Sequence, residues 1–175
     1  MIAGHPQLWM IRPHLEELPA VQPPRGYSVR SYRPGDGEHW ERILCEAFQT
    51  RPGTLSFEET MRRDPAFRPE RIFFAVCGEE PVATASAYYF PCVMPDAGTV
   101  HYVAALKAHR GRRLGYWVVL AALHRMRAEG RRRAWLSTDD FRLPAIKTYL
   151  RLGYEPLLFC PGMAERWRQV RARLQ

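Results

Sequence analysis

His101-Tyr102-Val103-Ala104-Ala105-Leu106-Lys107-Ala108-His109-Arg110-Gly111-Arg112-Arg113-Leu114-Gly115-Tyr116 reads as three things in succession: a β-branched and aromatic strand, a short basic loop, and the start of an apolar helix. A helix start leaves about four backbone N–H groups unpaired and carries about half a positive charge, so it attracts anions. Here that end also holds Arg110, Arg112 and Arg113, three cations set against the positive end of a dipole. The arrangement is favourable chiefly when a polyanion sits among them. Gly111 and Gly115 lack a Cβ and let a phosphate approach the backbone closely. Without a ligand, the same segment is a solvated basic turn with two loop glycines.

Outward from this stretch the elements follow from periodicity. Tyr27 to Arg33 alternates as a short strand closed by Pro34-Gly35, and Trp40, Ile43, Leu44, Ala47 and Phe48 make one helical stripe with Asp36 as its expected N-cap. Ser56 and Glu59 have the spacing of a capping box. Ile72 to Cys77 and Val82 to Tyr89, joined by Gly78-Glu79-Glu80, predict a hairpin, and Thr99 to Leu106 a central strand. Leu114 to Arg127 predicts a largely buried helix stopped at Gly130. Ala134 to Thr138 predicts a strand, Pro144 to Leu152 a helix closed by Gly153, Glu155 to Cys160 a last strand, and Met163 to Leu174 a surface helix. Pro6, Pro13, Pro19, Pro23 and Pro24 argue against a long helix or central strand before residue 26. The expected organisation is an irregular Pro-rich segment over 1–25, one mixed α/β (α+β) domain over 26–160, and an amphipathic helix over 161–175 packed on that domain.

Composition narrows the function. The 175 residues are 46% hydrophobic and 25% charged, which supports one folded domain and excludes disorder over most of its length. No apolar run reaches the about 18 to 20 residues of a membrane helix, and Met1 to His5 does not open a signal peptide, so a soluble, cytoplasmic protein with no membrane partner is expected. Cys45, Cys77, Cys92 and Cys160 form no CxxC pair, and the His and Cys residues lack ligand spacing; no metal is expected. The net charge is +8, and the window from Lys107 to Arg133 alone holds nine positive residues against Glu129, which is again +8. The basicity is therefore local to the loop, its helix and the Arg131-Arg132-Arg133 run. A nucleic-acid-binding module is the alternative this charge suggests, but no helix-turn-helix, RNP or zinc pattern accompanies it.

The chain resembles the GNAT superfamily of acetyl-CoA-dependent N-acyltransferases. The family pattern of a strand ending VxV followed by (Q/R)xxGx(G/A) is approached by Val103-Ala104-Ala105 and Arg110-Gly111-Arg112-Arg113-Leu114-Gly115, and its AxxxYxxxG(F/Y) pattern by Ala145, Tyr149, Gly153 and Tyr154. The resemblance implies a single domain with a central, mostly antiparallel twisted sheet, splayed at the cofactor site and flanked by helices. It implies that acetyl-CoA is the co-substrate and a small-molecule or peptide amine the acceptor, in a monomer or homodimer without nucleic acid. Backbone N–H groups from Arg110, Gly111, Arg112, Arg113, Leu114, Gly115 and Tyr116 would cradle the pyrophosphate, and Val103, Ala104 and Ala105 would pair with the pantetheine arm. Tyr149 would protonate the departing thiolate. Arg113 stands where the family usually has glycine, and its tolerance there requires a negative φ; Arg142 stands where an asparagine is common. Either feature leaves room for a chain that binds CoA without catalysis.

Direct attack by the amine is expected, since no cysteine lies in either motif. The attacking amine must be neutral, which calls for a base. His101, two residues before Val103, is the first candidate; a hydrogen-bonded strand histidine explains it equally well. Glu46 and Asp139 are weaker candidates, and His109 suits the phosphate side better. Tyr88, Tyr89, Phe90, Trp40 and Phe48 could line an acceptor pocket or belong to the core, and Trp117 suits helix packing.

Overall fold

The computed structural model describes residues 6–174. Seven strands, β1 (Leu8–Arg12), β2 (Tyr27–Ser31), β3 (Ile72–Cys77), β4 (Glu80–Tyr88), β5 (Ala97–Ala105), β6 (Arg133–Thr138) and β7 (Glu155–Leu157), form one sheet in the order β2-β3-β4-β5-β6-β1-β7. Every pairing is antiparallel except β5 with β6. Four helices accompany it: α1 (Asp36–Phe48), α2 (Leu114–Ala128), α3 (Leu143–Arg151) and α4 (Met163–Leu174). The mixed α/β class and the mostly antiparallel sheet flanked by helices are thus found as expected.

The N-terminal stretch departs from the irregular segment that its prolines predict. Leu8–Arg12 lies between β6 and β7, with hydrogen-bonded neighbours on both sides. Pro6 and Pro13 bracket this five-residue strand without entering it, so neither removes a ladder donor. Leu8, Met10 and Arg12 are buried while Trp9 and Ile11 are half-buried. Arg12 is a buried cation with no carboxylate partner among the described residues. It donates to the Leu152 carbonyl at the end of α3 and to the Glu17 carbonyl at 3.1 Å, the end of a helix where positive charge is favoured. Gly153, just past that end, has φ 77° and faces the guanidinium so closely that a Cβ would clash with it.

The start of α1 also differs from expectation. Gly35, at φ 97°, is the N-cap, and Asp36 is the first helical residue. Asp36 is only 5% exposed and is gripped by Arg30 through two bonds of 2.6 and 2.9 Å and by the Arg33 N–H at 2.6 Å. Burial pushes its pKa up, but the Arg30 fork and the Arg33 N–H outweigh burial and hold it below the usual carboxylate value. The Ser56 segment forms a single π-helical turn, Glu58–Arg62, in which Ser56 Oγ accepts from the Glu59 N–H at 3.3 Å.

Helix α2 explains its uniformly apolar sequence by burial on most sides: Val118, Val119, Leu120, Ala122 and Leu123 are fully covered. It packs over β3, β4 and β5, and Gly98 lets it approach, since a Cβ there would stand 2.6 Å from the Met126 sulfur. This packing fixes where the helix begins, and therefore where its free N–H groups point.

Candidate active site

The parallel pair β5 and β6 is in register only at Ala97 with Arg133, Gly98 with Ala134, and Thr99 with Trp135. Beyond Thr99 the strands part. β5 continues to Ala105 and β6 to Thr138 with no ladder between them, which opens a cleft of about 840 Å³. The sheet is splayed here, and the edge of β5 that faces β6 has no strand partner from Val100 onward. An extended amide chain can add to such an edge as a strand would.

Within that stretch β5 carries one extra residue. Thr84 pairs with Ala104 and Ser86 with His101, so Tyr102 and Val103 together oppose Ala85. Tyr102 has φ 50°, a left-handed conformation that costs a non-glycine residue about 1 to 3 kcal/mol. The bulge turns this part of β5 toward the cleft, where His101, Tyr102, Val103, Ala104 and Ala105 all form part of the wall.

At one end of the cleft the loop after β5 makes a 3-10 turn, Lys107–His109, and enters α2. Among the described residues, none of the backbone N–H groups of Gly111, Arg112, Arg113, Leu114 and Gly115 has a protein acceptor. Gly111 has φ 80° and Arg113 φ 57°. Alternating left-handed residues gather successive N–H groups into an anion-binding concavity. The negative φ expected of Arg113 is therefore not found: the loop keeps the left-handed geometry that a glycine would adopt freely, and the arginine bears the strain. Arg110, Gly111, Arg113, Leu114 and Gly115 line the cleft. The Arg112 guanidinium instead donates to the Ala108 carbonyl at 2.9 Å, and Tyr116 packs edge-on against Trp117. A Cβ added at Gly115 would meet open space, consistent with a ligand passing there.

The basic window does not act as one patch. Helix α2 separates the loop from the Arg131-Arg132-Arg133 run by 15 residues, about 22 Å at 1.5 Å per residue. At the far end Arg125 and Arg71 hold Glu129, Arg133 holds Asp96 at 2.7 Å, and Arg131 covers the Tyr89 ring at 3.6 Å. Of this window's arginines among the described residues, Arg110 and Arg113 line the cleft.

Tyr149, from α3, is buried against the cleft, and its hydroxyl has no protein partner among the described residues. Burial pushes its pKa up to about 12, while the Arg142 guanidinium pulls in the other direction. His101 sits at the bulge among the rings of Tyr88, Phe90 and Tyr102. Burial lowers its pKa to about 4, so it is a neutral imidazole at physiological pH. The other candidates are engaged elsewhere. Glu46 accepts from the Lys107 N–H, Asp139 is paired with Arg142 at 2.9 Å and accepts from Gln7 at 3.1 Å, and His109 shares a 2.9 Å hydrogen bond with the Tyr27 hydroxyl. Of the aromatic residues, Trp40 is wholly core, whereas Phe48 and Phe90 line the cleft. No group of three His, Cys, Asp or Glu among the described residues could hold a metal.

Two contributions escaped the sequence. Arg142 lies across the Phe48 ring at 4.9 Å and lines the cleft beside Tyr149. Gln7, Trp135 and Ser137 form part of the wall from β6 and the stretch before β1, with Trp9 stacked on Trp135 at 4.8 Å. Their signal is the alternation of Trp135 and Ser137 with Leu136 along β6; Gln7 carries none.

Residues 38–154 match the Acetyltransferase (GNAT) family. The chain is 31% identical over 160 residues to the mycothiol acetyltransferase of Thermobispora bispora, covering 84% of this chain and 53% of that protein. It is 31% identical over 143 residues to that of Thermomonospora curvata, covering 78% and 47%. The chain spans about half the length of the curated relatives it matches. A GCN5-related N-acetyltransferase from Sphaerobacter thermophilus superposes with a TM-score of 0.66 at 25% identity, over 86% of this chain and 48% of that one. Rv2747 from Mycobacterium tuberculosis, solved in complex with CoA and NLQ, shares the fold with a TM-score of 0.57 at 16% identity, over 83% and 81%. The matched stretch runs from α1 through α3 and takes in the loop, the splay and the Tyr149 helix together: this chain belongs to the GNAT acetyltransferase family.

Proposed function

We propose that this protein transfers an acetyl group from acetyl-CoA to a primary amine by direct attack, with Tyr149 as the proton donor to the departing sulfur. The observation that carries the reading is the run of five backbone N–H groups, Gly111 to Gly115, without acceptors among the described residues and set at the mouth of the splay between β5 and β6. They suit a pyrophosphate, and the unpartnered edge of β5 suits the amides of a pantetheine arm, which would bring the thioester toward the bulge at Tyr102. Acetyl-CoA, when bound, supplies the activated acyl carbon.

The residues then divide the work. The bulge and the free edge of β5 hold the thioester carbonyl in place. The amine nitrogen bonds to the carbonyl carbon, the carbon–sulfur bond breaks, and the nitrogen loses one proton while the sulfur gains one. With its pKa near 12, Tyr149 carries its proton at every working pH. Donation to a thiolate, whose thiol ionises near 8.5, is uphill for an isolated phenol, and Arg142 lowers that cost by favouring the tyrosinate. Neutral His101 accepts the proton that nitrogen sheds after attack, when the bound amine is most acidic; it is too weak a base to strip an alkylammonium beforehand.

Curated relatives bear the name mycothiol acetyltransferase, which makes the amine precursor of a low-molecular-weight thiol one acceptor to include in any screen. The test is release of free thiol from acetyl-CoA in the presence of an amine panel, preceded by calorimetry with CoA alone. Absence of CoA binding sinks the reading. Tyr149→Phe is expected to lower kcat about 100-fold, the scale of one lost proton donor, and to leave the CoA Kd unchanged.

A further inference from the structure

Among the described residues, none of those that line the cleft is Asp or Glu. The carboxylates adjoining lining residues in sequence are already committed: Glu46 to the Lys107 N–H, Asp139 to Arg142 and Gln7, and Asp140 to Arg166. Three guanidiniums, Arg110, Arg113 and Arg142, lie on the lining instead. Among the described residues a cation that enters meets no carboxylate on the lining, and gives up hydration without a counter-ion in return. Rings can attract an ammonium through their faces, but by less than the cost of desolvating an unpaired charge.

The end of the cleft away from the phosphate loop is aromatic. It closes where β5 and β6 meet at Thr99 and Trp135, between the rings of Phe90, His101 and Trp135, with Phe90 6.2 Å from Trp135 and 6.1 Å from His101. Trp135 continues outward into a stack: Trp9 lies 4.8 Å from it and Phe159 5.1 Å from Trp9, with Phe159 45% exposed. A line of flat faces thus leads from the surface to the inner wall. Such a surface binds planar or apolar bodies.

We propose that the acceptor is a weakly basic amine, with a sizeable uncharged fraction near neutral pH and carried on an aromatic or apolar body, the shared chemistry of arylamines and of α-amino groups beside an amide carbonyl. This rests on the acetyl-transfer reading above. Such an amine arrives ready to attack. At pH 7 an α-amino group with a pKa near 7.7 is neutral about 400 times more often than a lysine-type amine with a pKa near 10.4, and the cleft holds no carboxylate that could take up the difference.

The experiment uses the full chain, and CoA binding is first established by calorimetry, so that failure of the acetyl-transfer reading shows before any amine is added. Initial rates are then measured with acetyl-CoA and matched acceptors. Phenylalaninamide and phenethylamine share a ring and differ in amine basicity; phenylalaninamide and alaninamide share the amine and differ in the ring; 4-methoxyaniline and spermidine mark the two extremes. The expected result at pH 7 is a kcat/KM for phenylalaninamide at least 100-fold above that for phenethylamine and at least 10-fold above that for alaninamide, with no detectable transfer to spermidine. Activity with 4-methoxyaniline alone would assign the arylamine arm, and activity with phenylalaninamide alone the α-amino arm. Trp135→Ala should bring the phenylalaninamide to alaninamide ratio toward one; Phe159→Ala, at an exposed position, gives the same readout with little risk to folding. Equal or faster transfer to phenethylamine or spermidine overturns the proposal, as does CoA binding with no transfer to any of the weakly basic acceptors.

Discussion

Replacing Arg113 by glycine should make the protein more stable and a weaker CoA binder at the same time. At φ 57° and ψ 25° the arginine occupies the left-handed region as the N-cap of α2, at a cost of about 1 to 2 kcal/mol for a residue with a Cβ. Glycine adopts that geometry freely, but its looser unfolded chain returns about 0.5 to 1 kcal/mol. The net gain is about 0.5 to 1 kcal/mol, or a Tm about 1 to 4 °C higher for a chain of this size. The opposing effect comes from the guanidinium. It lies on the exposed lining of the cleft, where a solvated charge-assisted contact to a phosphate is worth about 1 kcal/mol, so the CoA Kd should rise about 3- to 10-fold. Arg113→Ala separates the terms: it removes the guanidinium, keeps a Cβ in the left-handed region, and should weaken CoA without raising Tm. Thermal melts of the apo forms and calorimetry with CoA read both quantities. A Tm for Arg113→Gly equal to or below that of the parent would refute the strain argument, and an unchanged Kd in both variants would refute the phosphate contact.

Asp36→Asn leaves Arg30 without its carboxylate in a mostly buried setting and should cost about 3 kcal/mol in urea unfolding. Because the folded pKa of Asp36 is depressed, its contribution is present at neutral pH and disappears as pH falls below its ordinary value of 3.8. Gly153→Ala places a Cβ at φ 77° against the Arg12 guanidinium and should lose about 2 kcal/mol, seen as a lower Tm. His101, lowered from 6.5 to about 4 by burial, binds a proton in the unfolded chain before it does so in the folded one. Stability should therefore fall as pH drops from 6.5 toward 4, and His101→Gln should flatten that slope; a kcat/KM profile with an inflection near 6.5 that this variant abolishes would contradict the neutral imidazole.

Much of this architecture was legible because it is written in local periodicity. The stripe from Trp40 to Phe48, the turn at Gly78 between two apolar runs, the all-round apolar α2 and the glycine after α3 each require only their own neighbours to be read. The phosphate loop was legible because arginines crowd the start of a helix. What stayed hidden depends on residues far apart. The strand Leu8–Arg12 was masked by flanking prolines and by a buried arginine, whose sense appears only when the end of α3 stands beside it. The backbone of Arg113 runs against its residue type, so no rule of composition would place it at positive φ. The basic window read as one patch because the partners of its far end, Glu129 held by Arg71 and Arg125 and Asp96 held by Arg133, are brought there only by the fold. The cleft wall of Trp135, Gln7 and Phe90 joins three separate segments, and its lack of carboxylates among the described residues is a property of assembly, since Glu46 and Asp139 lie nearby in sequence yet are turned to other partners.

The placement of Leu8–Arg12 between β6 and β7 has a bearing on how the molecule comes to be folded. Leu8 is paired with Thr138 across 130 residues of chain, and contacts of such long range slow folding because the ends must find each other against loop entropy. During synthesis this strand leaves the ribosome long before either neighbour exists, while β2, β3, β4 and β5 can already join by antiparallel pairing. Until it docks, β6 presents an open edge next to the splay, a template for mispairing with another copy. Docking of this strand is thus the step that closes the sheet, and a bulky fusion immediately before residue 6 should lower soluble yield far more than one placed beyond α4.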